Sequence, residues 1–176
     1  MVAMISLSKN EFNVIGFLIR NFSKRFTIRN VAAKLKISAP GAHAVLKKLE
    51  KSDVVKAEKL GTGLFYYVNL ENKIARHLAA IVLLDHFDIK KIDTLNLEKE
   101  SKAAIFDGKR LLIITSSEDS VKDICYKEFK GVDAICKSED EFVNGLKETE
   151  ISEILEKGNV LYGEELIVGL IKKVTR

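Results

Sequence analysis

Few side chains in this chain are placed to do chemistry. Its three histidines, His43, His77 and His86, all lie before residue 90, and its two cysteines, Cys125 and Cys136, stand apart with no CxxC pair. No Ser/His/Asp or Cys/His set that would activate a nucleophile can be assembled from them. His77, Asp85 and His86 fall on one predicted helix but lack the i, i+4 histidine spacing that aims two imidazoles at one metal ion. Glu139-Asp140-Glu141 reads as the acidic first turn of a helix, and Gly61-Thr62-Gly63 lacks the Gly-Lys-Ser/Thr ending of a phosphate-binding loop. No catalytic residue, cofactor or metal is therefore expected. What remains is cationic. Arg29, His43, Lys47, Lys48 and Lys59 lie close in sequence, and such groups attract and hydrogen-bond a polyanion.

The elements that must position these cations lie between Thr27 and Leu70. Thr27 is a predicted N-cap, because its hydroxyl can accept from the first-turn N–H groups of a helix. Val31, Ala32 and Leu35 recur at helical spacing after it, and Ile37 closes the apolar face. Ser38 caps a second predicted helix, with Pro40 near its first position, where a missing N–H costs nothing. Ala42, Val45, Leu46 and Leu49 form the apolar face of that helix. Pro40, His43, Ala44, Lys47 and Lys51 form the opposite face, and Lys48 stands at its edge. A β-rich run VVKAEK, the turn LGTG and a second run LFYYVNL then predict a hairpin.

Helix, tight turn, helix and hairpin in this order resemble the winged-helix DNA-binding domains of transcriptional regulators, of the multiple-antibiotic-resistance and arsenic-repressor types. The residues that carry the resemblance are Thr27–Ile37 as positioning helix, Ser38–Lys51 as recognition helix and Val54–Leu70 as wing. The polar-capped helix that follows, beginning Glu71-Asn72-Lys73, is similar too. The resemblance implies double-stranded DNA as partner and a homodimer. It also implies contacts from Thr27, Arg29, Ser38, Ala39, Pro40, Gly41, His43, Ala44, Lys47, Lys48, Lys59 and Thr62. The recognition face departs from a strong base reader. Ala39, Gly41 and Ala44 stand where related regulators often place Gln, Thr, Ser or Arg, and only His43 and Lys47 offer polar reach. Lys47, Lys48, Lys59 and Arg29 would supply salt-sensitive phosphate contacts, and Thr62 would sit at the wing tip. Within the wing, Phe65 and Tyr67 share one face and Tyr66 the other, so core packing is expected over base stacking.

The surrounding sequence fits a two-part chain. Its 47% hydrophobic residues suffice for packed cores, and 31% charged residues oppose a membrane protein. No apolar run is long enough to span a bilayer, and no secretory leader is visible at the N-terminus, so a cytoplasmic location is expected. Reduced core thiols suit that location, with a disulfide or redox switch as the alternative. Residues 1–90 carry 15 Lys and Arg against 7 Asp and Glu; residues 91–176 carry 14 against 18. A basic first half and a mildly acidic second half suit a DNA-binding domain joined to a sensor or interaction domain.

In chain order, Ser8–Phe22 predicts a first helix. Phe12, Ile15, Ile19 and Phe22 share one face, and Ser8 with Glu11 forms a capping box. Arg20, Lys24 and Arg25 at its end suit phosphates or the helix C-terminus equally. Glu71–Phe87 predicts a long helix that is apolar over a wide arc, suited to a twin helix or to the C-terminal half. Residues 88–101 are expected to link the domains. Beyond them the pattern predicts strand 103–106, a turn at Asp107-Gly108, strand 110–115, helix 118–129, strand 132–136, a Ser138-capped helix, helix 151–157, strand 159–162 and helix 164–174.

That order, and the ending EILEKGNVLYGEEL in particular, resembles small nucleotidyltransferase-like domains of the polymerase-β superfamily. Active members hold Mg²⁺ and a nucleoside triphosphate with a Gly-Ser pair and two spaced aspartates. Here AAIFDGKRLLIITS has neither, and Asp107 alone cannot assemble a two-metal site. The expected fold is therefore α+β. A winged helix-turn-helix domain (1–87) and a linker (88–101) precede a small α/β domain with a mixed sheet (102–176), nucleotidyltransferase-like but without its catalytic motifs. The expected function is transcriptional regulation, not catalysis, with the second domain serving dimerisation, a protein partner or a small-molecule effector. The alternatives are a divergent nucleotidyltransferase acting on nucleic acid and a winged-helix docking adaptor.

Overall fold

A computed structural model of the chain describes residues 7–84 and 94–175. The chain divides into two compact units, Met1–Val82 and Leu83–Arg176.

In the first unit, helix α1 (Lys9–Arg20) begins at a full capping box. Ser8 Oγ accepts from the Glu11 N–H at 3.3 Å, and the Glu11 carboxylate accepts from the Ser8 N–H at 2.7 Å. Val14, Ile15, Leu18 and Ile19 bury the apolar face of α1. Helices α2 (Ile28–Leu35) and α3 (Ala39–Lys51) pack on each other and on α1. Lys36 ends α2 in the left-handed conformation, φ 55°, which makes the tight turn into Ser38. Strands β1 (Val55–Leu60) and β2 (Gly63–Val68) pair antiparallel around a two-residue loop. Gly61, at the first loop position, has φ +58°, the backbone that a two-residue hairpin of right-handed twist requires. The Tyr66 N–H donates to the Phe26 carbonyl at 3.0 Å and adds a single bridge to this ribbon. Helix α4 (Lys73–Leu84) is capped by Asn72, whose Oδ1 accepts from the Ile74 N–H at 2.8 Å. It packs so closely on α1 that a β-carbon on Gly16 would lie 2.7 Å from Val82 Cγ1. The expected end of this helix at 85–87, with Asp85 and His86, lies outside the described residues; His77 is exposed.

The second unit begins earlier than its strand pattern suggests. Leu95–Glu100, inside the stretch expected to be a linker, forms helix α5, and Leu97 is fully buried in this unit's core. The Ser101 and Tyr162 hydroxyls also hydrogen-bond each other, 2.5 Å apart. Leu97 and this hydrogen bond, with those of Asn96 to Glu128 and of Thr115 to the Glu100 carbonyl, hold a charged segment on the unit. The rest of the expected linker, 88–93, lies outside the described residues.

The unit continues through β3 (Ala103–Phe106), β4 (Arg110–Ile114), α6 (Glu118–Glu128), β5 (Asp133–Lys137), α7 (Glu139–Gly145), α8 (Thr149–Lys157), β6 (Asn159–Tyr162) and α9 (Glu164–Val174). The sheet runs β5-β4-β3-β6 and is mixed: β4 and β5 are parallel, the other pairs antiparallel. Helices cover both of its faces, so β3 and, after Arg110, β4 read as continuous apolar runs and not as alternating ones. Ala104, Leu111 and Ile113 meet Leu97, Val121 and Cys125 on one face. Helices α8 and α9 pack on β3 from the other. Cys125 and Cys136 are free thiols, and burial pushes the Cys125 thiol up to about 11. Asp107, the carboxylate singled out in the β3–β4 turn, is committed. Its Oδ1 accepts from the N–H groups of Lys109 and Arg110 at 3.0 and 2.7 Å, and its Oδ2 pairs with the Arg110 guanidinium at 2.8 Å.

Candidate nucleic-acid interface

Helix α3 carries the candidate surface, and its local chemistry fixes where that surface begins. Ser38 Oγ accepts from the Gly41 N–H at 3.1 Å, capping the helix just after the tight turn. Ala42, Leu46 and Leu49 are fully buried and set the rotation of the helix about its axis. Ala39, Pro40, His43, Ala44, Lys47 and Lys51 are consequently exposed, and Gly41 is half-buried. The exposed side is small at its N-terminal end and mainly basic at its C-terminal end, where Glu50 is exposed among Lys47, Lys48 and Lys51. Small side chains there let the helix backbone approach a partner, while the lysines attract phosphate.

Thr27 serves its own helix. Its Oγ1 donates to Asn30 Oδ1 at 2.8 Å and accepts from the Asn30 N–H at 3.4 Å, and Asn30 Oδ1 returns to the Thr27 N–H at 3.0 Å. Arg29, one residue into α2, is exposed. Lys59 and Thr62 are exposed on the ribbon and at its tip.

Lys48, exposed beside Lys47, also makes an ion pair within the unit. Its ammonium lies 2.8 Å from Glu11 Oε1 on α1, and the Glu11 side chain is only 3% exposed. Burial alone would push the Glu11 carboxyl up. The bonds from Lys48 and from the Ser8 N–H and hydroxyl outweigh it and hold the carboxyl below its ordinary value. The ion pair offsets part of the charge that Lys48 presents at this edge of the helix. Lys48 thus differs from its neighbour Lys47 in having a buried carboxylate partner, while its side chain stays 64% exposed. Glu11 itself carried a legible signal. It precedes Ile15 and Leu18 at i+4 and i+7, which places a carboxylate on the apolar face of α1.

The ribbon is less basic than its position suggests. Arg25 pairs with Glu58 at 3.3 Å, and no charged residue occurs from Leu60 to Leu70. Of its three consecutive aromatics, Tyr66 is buried while Phe65 and Tyr67 on the opposite face are half-buried. Leu60 and Leu64, which flank the turn, are 44% and 43% exposed. Sequence reading overlooked these two leucines, because β-forming runs of this kind are ordinarily counted as core.

Among the described residues no helix is long and apolar enough to cross a membrane. No family model matches the chain, and no curated protein matches it. Among solved structures, a mutant of Lactococcus lactis ZitR is similar at 20% identity and a TM-score of 0.36. The match covers 45% of this chain, which spans about half (52%) of that protein. At that TM-score the likeness specifies neither fold nor function.

Proposed function

We infer that the first unit is a winged helix that binds duplex DNA, with α3 as the recognition helix, and that the protein regulates transcription in the cytoplasm without being an enzyme. One observation carries this reading. The exposed side of α3 presents Ala39, Pro40, His43, Ala44, Lys47 and Lys51 together, small where the helix begins and mainly basic where it ends, with Glu50 exposed beside Lys47. That profile suits entry of the N-terminal end into a major groove with lysines near the backbone. Arg29 and Lys59 would add phosphate contacts, while Ser38 and Thr27 keep their capping roles. So few polar side chains imply modest base selectivity and a large electrostatic share of the affinity.

A homodimer completes the proposal. Ile74 and Ile81 of α4 are seven residues apart, on one side of the helix, and both are exposed, as a helix paired with its twin would require. The second unit is read as a nucleotidyltransferase-like domain that has lost transferase chemistry and serves dimerisation, partner contacts or sensing. Support for the loss lies in Asp107, whose carboxylate is bound to Arg110 and to backbone N–H groups.

The test is titration of random and genomic duplexes across a salt series, for the wild type and Lys47→Ala. Affinity should fall with salt, and the variant should bind more weakly with a log–log slope shallower by about one. A protein that is folded but shows no salt-dependent binding sinks the reading and favours a docking adaptor.

A further inference from the structure

We propose that the wing acts as an apolar wedge: Leu60 and Leu64, braced by Phe65, enter the minor groove of duplex DNA and bend it. This rests on the duplex-binding reading of α3. Lys59 is the last charge before the hairpin turn, and none follows until Glu71, so the tip from Leu60 to Leu64 carries no charge of its own and leaves phosphate contacts to Lys59 at its base. In place of charge the loop is flanked by Leu60 and Leu64. In the ladder Leu60 pairs with Gly63, and Lys59 pairs with Leu64. Paired residues share a face, so the leucines project from opposite faces of the ribbon and make its tip apolar on both sides.

The tip is also braced. A β-carbon at Gly63 would lie 2.6 Å from a ring carbon of Phe65, so the ring lies over the glycine and fills the face beside Leu60. Gly61 has open space around its α-carbon and meets no neighbour. A narrow, uncharged, stiff projection fits between sugar walls and against base edges. Lys59 beside Leu64 matches the phosphates lining such a groove, which argues for DNA over a protein partner as the occupant. Apolar side chains inserted at a base step unstack it and kink the duplex toward the major groove.

The test compares the wild type with Leu60→Ser/Leu64→Ser on one duplex, labelled at both ends for energy transfer and titrated across a salt series. Both leucines are already exposed, so the fold should survive, and far-UV circular dichroism checks it. A separate Gly63→Val variant, which displaces the Phe65 ring, tests the brace. The wild type should shorten the end-to-end distance. The double serine variant should lose the bend and roughly ten-fold in affinity, the effect of leaving two half-exposed leucines in water. Its salt slope should stay unchanged, whereas Lys47→Ala should flatten the slope and keep the bend. Salt-dependent binding with an unbent duplex, or with a bend and affinity indifferent to both leucines, overturns the wedge alone and leaves the tip to a protein partner. No salt-dependent binding by the wild type overturns the wedge together with the reading beneath it.

Discussion

Glu11 on α1 and Lys48 on α3 are joined across the core of the first unit, carboxylate oxygen to ammonium at 2.8 Å. The carboxylate is buried and the lysine is 64% exposed, so the pair reaches from the interior to the rim of the recognition helix. It ties α3 to α1 and offsets part of the charge of one exposed lysine beside the basic face.

Removing Lys48 should therefore affect stability more than DNA affinity. Lys48→Ala leaves a buried carboxylate with only its Ser8 partners. Because solvent screens the exposed lysine, the cost should be about 1–2 kcal/mol in urea unfolding. Its DNA affinity and salt slope should stay close to wild type, while Lys47→Ala shows the reverse profile. Equal losses of affinity in the two variants would return Lys48 to the phosphate-contacting set.

The same pair sets an acid limb. Because the folded Glu11 carboxyl sits below its ordinary value of 4.5, the native state binds fewer protons there than the unfolded chain does. Its contribution to stability is complete above that ordinary value and is lost as pH falls through the lower, folded value. Glu11→Gln should flatten the stability profile in this acidic window and leave the slope above pH 6 unchanged, as chemical denaturation at stepped pH would reveal.

Among the described residues, two occupy left-handed backbone without being glycine: Lys36 at φ 55° and Asp53 at φ 57°. Lys36→Gly relieves that strain in the helix-turn-helix turn and should stabilise the protein by about 0.5–1 kcal/mol, raising the melting temperature. Asp53→Gly should gain less or nothing. The Asp53 side chain accepts from Asn72 Nδ2 at 3.0 Å and helps hold the residue that caps α4.

Gly163, between β6 and α9, has φ +76°, and a β-carbon there would come within 2.4 Å of the Lys102 carbonyl and Ala103. Gly163→Ala should cost roughly 2–4 kcal/mol, since strain and overlap with backbone act together. Calorimetry should register the loss. An unchanged melting profile would mean that Lys102–Ala103 yields.

The α4 stripe offers an oligomerisation test. Ile74→Lys with Ile81→Lys exposes no new core, so each change should alter subunit stability by no more than about 0.5 kcal/mol. Light scattering after size exclusion should report a dimer for the wild type and a monomer for the double variant. A wild-type monomer at tens of micromolar, an ordinary working range for weak dimers, would remove the dimer from the proposal.

Local chemistry by itself determined most of the element order. Ser8, Thr27, Ser38 and Ser138 mark helix starts by their side-chain oxygens, the Gly61-Thr62 turn fixes the ribbon register, and apolar runs at 103–106 and 111–114 announce buried strands. These are interactions among residues a few positions apart, which periodicity records. Tertiary structure decided the rest. Tyr66, not Phe65 or Tyr67, turned inward because α1 and Phe26 meet that face of the ribbon. Leu97 drew a charged stretch into the second core, and the strand order β5-β4-β3-β6 came from packing helices on both sheet faces. Lys48 looked like its neighbour Lys47 until α1 supplied a buried partner 37 positions earlier in the chain. A pairing between distant positions leaves no period in a single sequence, so only the folded backbone could show that one of two exposed neighbouring lysines has a buried carboxylate partner.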